Sequence, residues 1–221
     1  MIRKIAWTLA ILSTIAMVAA IGFVLPDTVA IHYNVAGEAD AWGSKWVYLL
    51  FGLIPLILIG VYEIYRRHRK EHPNYRMEEK LIPVISMVFI PFFWIMLFST
   101  LESQTHMQPR FFCPVVGIMG LLMVFLSNYM GKIRQNPHLG IKLPWTLKSD
   151  IVWNKTHRLG GITGVIGGSI MIAGSILGML MPEHAFAWSF GSLIPGLLLT
   201  VAVPTVYSFA LYRRLKKEGN L

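Results

Sequence analysis

Long apolar runs alternate along the chain with short polar segments that hold nearly all the charge. Six runs stand out: Ile5–Leu25, Trp46–Tyr65, Leu81–Leu101, Phe111–Met130, Leu159–Leu180 and Phe190–Tyr212, each of 20 to 23 residues. At about 1.5 Å per residue, 20 helical residues reach roughly 30 Å, one hydrocarbon core. No run alternates residue by residue as a barrel strand would, and lipid cannot satisfy an exposed backbone, so each is predicted to be a helix. The expected fold is an all-α integral membrane protein with six transmembrane helices, a structured loop at 26–45 and an interfacial loop at 131–158.

Composition agrees. The 221 residues are 55% hydrophobic and 14% charged, against about 25% charged for a soluble domain. The first run, behind Arg3 and Lys4, has 21 residues, more than the roughly 7–15 of a secretory signal, so it is expected as a retained helix. Segments 1–4, 66–80, 131–158 and 213–221 hold 2, 6, 6 and 4 Lys/Arg, and the alternate segments keep only Lys45 and Arg110. Basic loops stay inside, which predicts both termini in the cytoplasm, 26–45 as an outer loop and 131–158 as an inner one. Net charge is +9; because the cations flank spans, anionic headgroups rather than nucleic acid are the expected counter-charge. Cys113 lies in an apolar run and reads as a packing residue. Three segments are expected: 1–65 with the first two spans and the outer loop, 66–110 with a basic inner segment and the third span, and 111–221 with the second inner loop and the last three spans.

Pro55, Pro83, Pro91, Pro114, Pro195 and Pro204 fall within runs. They read as tolerated kinks, with Pro204 the best candidate for a broken or mobile helix. In the fifth run, Gly160, Gly164 and Gly168 recur every fourth residue, as do Gly174 and Gly178. Such stripes admit a close helix, either within the chain or in a homo-oligomer.

The outer loop, "LPDTVAIHYNVAGEADAWGSK", places Asp27, His32, Glu38 and Asp40 within fourteen residues. Three readings stay open: a folded cap, an acidic surface for a cationic peptide, or a metal site, though the spacing matches no defined metal motif. Trp42 and Trp46 read as interfacial anchors. No cofactor is expected, and without HExxH or GxSxG a catalytic site is not expected either. Glu63 is the one acid inside a run and reads as a snorkelling residue.

The inner loop contains "NPHLGIKLPWTLKSDIVWNKTHR". Asn136-Pro137 and Gly140 mark a turn, Pro144 stops any earlier helix, and Thr146, Ser149 or Asp150 could cap a helix running into the fifth span. Its Trp and Leu residues belong at headgroup depth, with Lys142, Lys148, Lys155 and Arg158 facing lipid phosphates. That leaves Asn136, Gly140, Asn154, Thr156 and His157 unexplained.

The pattern Asn136, Gly140-Ile141-Lys142, Pro144-Trp145-Thr146-Leu147, then Trp153 and Thr156-His157-Arg158, resembles the signature of the SdpI family of bacterial membrane proteins. Lys142 stands where Arg is more usual, keeping charge but losing the planar fork. Pro26, Asp27, His32, Gly37, Asp40, Gly43 and Lys45 are similar to a module of unknown function that often precedes it. The resemblance implies a cell-membrane immunity protein with a secreted toxic peptide as its outer partner. It further implies a toxin sensor that holds a cytoplasmic transcriptional repressor at the membrane. The candidate binding residues are the signature positions Asn136, Gly140, Lys142, Pro144, Trp145, Thr146, Trp153, Thr156, His157 and Arg158 inside and, from the outer loop's own polar side chains, Asp27, His32, Glu38 and Asp40 outside. The alternative function is a transporter or handler of an anionic lipid or small molecule.

Overall fold

A computed structural model of the chain describes residues 1–34, 36, 38–67, 74–102, 104–106 and 108–220, the side chains of Pro109 and Arg110 excepted. Gly37 of the outer-loop pattern, Arg69 and Lys70 of the 66–80 segment, and the Arg110 side chain lie outside the described residues. In order come α1 (Ile2–Phe23), β1 (Thr28–Tyr33), β2 (Ala39–Ser44), α2 (Val47–Arg67), α3 (Tyr75–Glu102), α4 (Pro109–Met130), α5 (Asp150–Leu180), a short 3-10 turn and α6 (Ala185–Lys217). All six helices are long and apolar enough to cross a membrane, as the six runs predict. All six span prolines sit inside continuous helix, and α6 runs 33 residues through both Pro195 and Pro204. A break at Pro204 is therefore not found.

The chain packs as two compact units. In the first, Met1–Val115 with Pro182–Phe186, α1, α2 and α3 bury Met17, Ile21, Tyr48, Phe93 and Leu97 against one another. Several polar side chains within the apolar helices are paired across them. Thr14 donates to the Gly52 carbonyl (2.7 Å), Ser86 to that of Pro55 (2.8 Å), and the Trp94 indole to Ser13 (2.8 Å). The Tyr48 hydroxyl meets Thr100 at 2.6 Å. Lipid offers no alternative partner, so each bond also fixes helix register.

Glu63 corrects the sequence reading. Rather than snorkelling, its carboxylate is held between Arg3 (3.1 Å) and Arg66 (2.6 Å). Arg66 reaches on to Glu79 (3.8 Å), so the start of α1, the end of α2 and the start of α3 share one ion-pair network.

The second unit, Val116–Met181 with Ala187–Leu221, is organised by α5. A Cβ on Gly168 would stand 2.6 Å from the Gly120 carbonyl, and one on Gly120 2.7 Å from that of Gly168, so α4 and α5 touch backbone to backbone. Toward α6, a Cβ on Gly167 would collide with the Gly196 carbonyl, and one on Gly174 with the Ser192 side chain. Both glycine stripes are thus used within the chain, on two different faces of α5.

Replacing Glu63 with Ala removes the carboxylate that Arg3 and Arg66 share and leaves Arg66 the longer contact to Glu79 (3.8 Å). We expect a loss of about 1–3 kcal/mol, less than for a fully buried pair because the Glu63 side chain is 17% exposed. Thermal unfolding in detergent measures it, and Arg3→Gln added to Glu63→Ala should cost less than Arg3→Gln alone.

Candidate functional site

The segment before α5 lacks regular structure, so its backbone groups need side-chain partners. Asn136 supplies them first. Its Oδ1 accepts from the His138 (2.8 Å) and Leu139 (2.7 Å) amides, and its Nδ2 donates to the Arg134 (2.7 Å) and Leu139 (3.1 Å) carbonyls. Both lone pairs and both N–H groups of the amide are used. Gly140 follows at φ +114°, a backbone region closed to most side chains, and a Cβ there would run into His157 Nε2. Glycine is required twice over, for conformation and for space.

His157 closes the loop onto α5. Its Nδ1 lies 2.9 Å from the Trp153 carbonyl, which can only accept, so Nδ1 carries the proton. That leaves Nε2 as the acceptor for the Ile141 amide at 2.9 Å. The ring stacks on Trp153 at 4.0 Å between centroids, and the Trp153 indole donates to the Ile133 carbonyl at 2.8 Å. Thr146 ties the turn: its hydroxyl accepts from the Leu143 amide (2.9 Å) and faces the Ile141 carbonyl (2.7 Å). Asn136, Thr146, Trp153 and His157 are all buried. Together with Gly140 they form one interlocked cluster.

The remaining candidates lie around it. Trp145 is half-buried on α6, its indole donating to Ser208 (2.8 Å) and its ring against Phe209. Thr156 is fully buried, and its hydroxyl has no partner among the described residues. Lys142, Pro144 and Arg158 are exposed, with Lys142 donating to the His138 carbonyl at 3.0 Å. Of the three predicted caps for α5, the structure uses Ser149, whose hydroxyl accepts from the Val152 amide. Sequence reasoning missed Ser208 and Gln135, whose amide donates to the Thr146 carbonyl at 2.9 Å. A Ser deep in an apolar run was the available signal for Ser208.

β1 and β2 pair antiparallel, a β element added to the helical fold. Val29 and Ala30 are buried, Val29 packing with Leu25 in the α1–α3 core, while Asp40, Trp42 and Ser44 share the exposed face of β2. A register shift between Ala30 and His32 leaves Ile31 as an extra residue lying over Gly43. The four predicted ligands do not converge. Asp27 pairs with Lys45 (3.0 Å), His32 with Asp40, and Glu38 with Asn34 (3.1 Å) and His106 (3.9 Å). Among the described residues no three His, Cys, Asp or Glu side chains gather to hold a metal. The Gln104 side chain, not anticipated from sequence, accepts from the Ala30 amide at 3.1 Å.

Gly140→Ala combines a strained φ, of order 1–3 kcal/mol, with the His157 collision. We expect the 131–149 segment to detach, seen as new proteolytic cleavage there and a changed Trp emission. His157→Ala strands the buried Ile141 amide, at a cost of about 1–3 kcal/mol; unchanged thermal stability would contradict the bond.

Comparison with known proteins bears on both loops. Residues 132–208 match the SdpI/YfhL protein family, and residues 8–59 match a domain of unknown function (DUF1648). The chain is 26% identical over 102 residues to the Immunity protein SdpI of Bacillus subtilis (strain 168), which is 46% of this chain and 46% of that protein. It thus aligns with about half the length of that relative. No solved structure matches. With six helices long and apolar enough to cross a membrane, this is a multi-pass membrane protein whose loop cluster lies inside the region similar to the SdpI/YfhL family and whose hairpin lies inside the region similar to DUF1648.

Proposed function

We propose that this chain is a membrane immunity protein, protecting the cell that makes it from a secreted toxic peptide. The observation that supports it most is the interlocked cluster around His157, which lies wholly in the part of the chain that matches the SdpI/YfhL family. The name of the relative, an immunity protein, supports the same reading. Orientation rests on charge: eighteen Lys/Arg fall on one set of segments and two on the other, so we place both termini in the cytoplasm. The hairpin then faces outward. Its exposed Asp40 and Trp42, with exposed Ile31 and Trp46 near them, offer acid and apolar surface to a cationic amphipathic peptide.

On the other side the exposed Lys142, Lys148, Lys155 and Arg158 form a basic surface for lipid phosphates or an acidic face of a repressor. Residues of the cluster itself have their polar side chains bonded to backbone groups of the same segment, so their role in this reading is to hold that surface in shape. The chain is read as a binding protein and not an enzyme, because the His157 ring nitrogens are both engaged by backbone and no nucleophile is paired with them.

Toxin-sensitive cells lacking their own immunity protein, expressing this chain at verified membrane levels, should survive the secreted toxic peptide. His157→Ala and Trp153→Ala should insert normally yet fall to empty-vector survival. Failure of the wild-type chain to protect would refute the immunity reading. Protection by both variants would remove the cluster from it.

A further inference from the structure

Outside the His157 cluster, the end of α4 and the first half of α5 enclose an open groove of about 480 Å³. Its lining includes Gly131, just past the end of α4, and Gly161 of α5, where a Cβ would stand 3.1 Å from the Ser127 carbonyl, so the two helices lie close together there. Arg158, Ile162 and Ile166 line it at four-residue spacing, which puts them in one stripe along α5, about 6 Å per step. The cation sits just before the apolar run Leu159–Leu180, and the isoleucines lie inside that run, 62% and 49% exposed. Arg158 is exposed and has no hydrogen bond or ion pair among the described residues. Among the described residues no acidic side chain lines the groove. The nearby carbonyl end of α4 would repel an anion, but the Tyr129 and Met130 carbonyls already accept from Lys132 (2.9 Å) and Ile133 (3.2 Å) amides. Asn128, also in the wall, turns its amide back to the Val124 carbonyl at 2.8 Å, leaving Arg158 as the donor the groove presents.

A cation at the surface end and a bare aliphatic stripe below it match an amphiphile with an anionic head. We propose that this groove binds one anionic phospholipid, its phosphate on the Arg158 guanidinium and the first carbons of an acyl chain along Ile162 and Ile166. A planar guanidinium takes two phosphate oxygens at once. A zwitterionic lipid gains less, since its ammonium meets no carboxylate here. The proposal does not depend on the immunity reading, and lipid counting tests it without any toxin.

The test is native mass spectrometry of the full chain in mild detergent, supplied with phosphatidylglycerol or phosphatidylcholine. One phosphatidylglycerol should be retained in preference to phosphatidylcholine. Arg158→Gln should weaken retention roughly tenfold, and Ile166→Trp, which fills the groove at an exposed position, should also abolish it. Lys217→Gln removes an exposed cation near the end of α6 that does not line the groove, and should leave retention unchanged. General surface attraction would weigh Lys217 and Arg158 alike. Equal losses in those two variants, equal retention of phosphatidylcholine, wild-type retention in Ile166→Trp, or displacement by millimolar inorganic phosphate would each overturn the proposal.

Discussion

A bilayer core offers no hydrogen bonds, and most of this architecture follows from where its polar atoms find partners instead. Helices satisfy their own backbones. Side chains cannot, so Thr14, Ser86 and Trp94 bond across the first three helices, and Trp145 bonds to Ser208 in the second unit. The same demand shapes the segment before α5. With no regular structure, it carries backbone amides into a buried setting, and Asn136, Thr146 and His157 answer them one by one. The imidazole is the joint of this arrangement: a donor to its own helix and an acceptor from the loop, so that neither can shift without leaving a buried group unpaired.

That economy of partners separates residues that hold shape from residues that meet other molecules. Everything polar in the His157 cluster is turned inward, whereas Lys142, Lys155 and Arg158 are left outside. Thr156 is the exception, buried with an unpartnered hydroxyl. In the hairpin each acid has its own partners, Lys45 for Asp27, His32 for Asp40, and Asn34 with His106 for Glu38, which stabilises a cap more readily than it builds a metal site. Glycine sets the distances: Gly120 facing Gly168 brings two backbones into contact, and Gly161 lets α5 approach the Ser127 carbonyl beside the groove near one end of the same helix pair.

The apolar runs alone determined the six helices, because span length and the cost of an unpaired backbone in lipid are local properties that any 20-residue window displays. The loop signature was legible too: Asn136, Gly140, Trp153 and His157 stand out as residues an interfacial loop does not need. Tertiary structure decided what each one does. That Gly140 is needed for the His157 ring, that Glu63 bridges Arg3 and Arg66, and that Arg158 heads a groove are facts about residues far apart in the chain or on a chosen helix face. Sequence spacing specifies a helix face to within a turn, but hydrogen bonds and ion pairs form over about 3–4 Å, and only packing brings atoms that close.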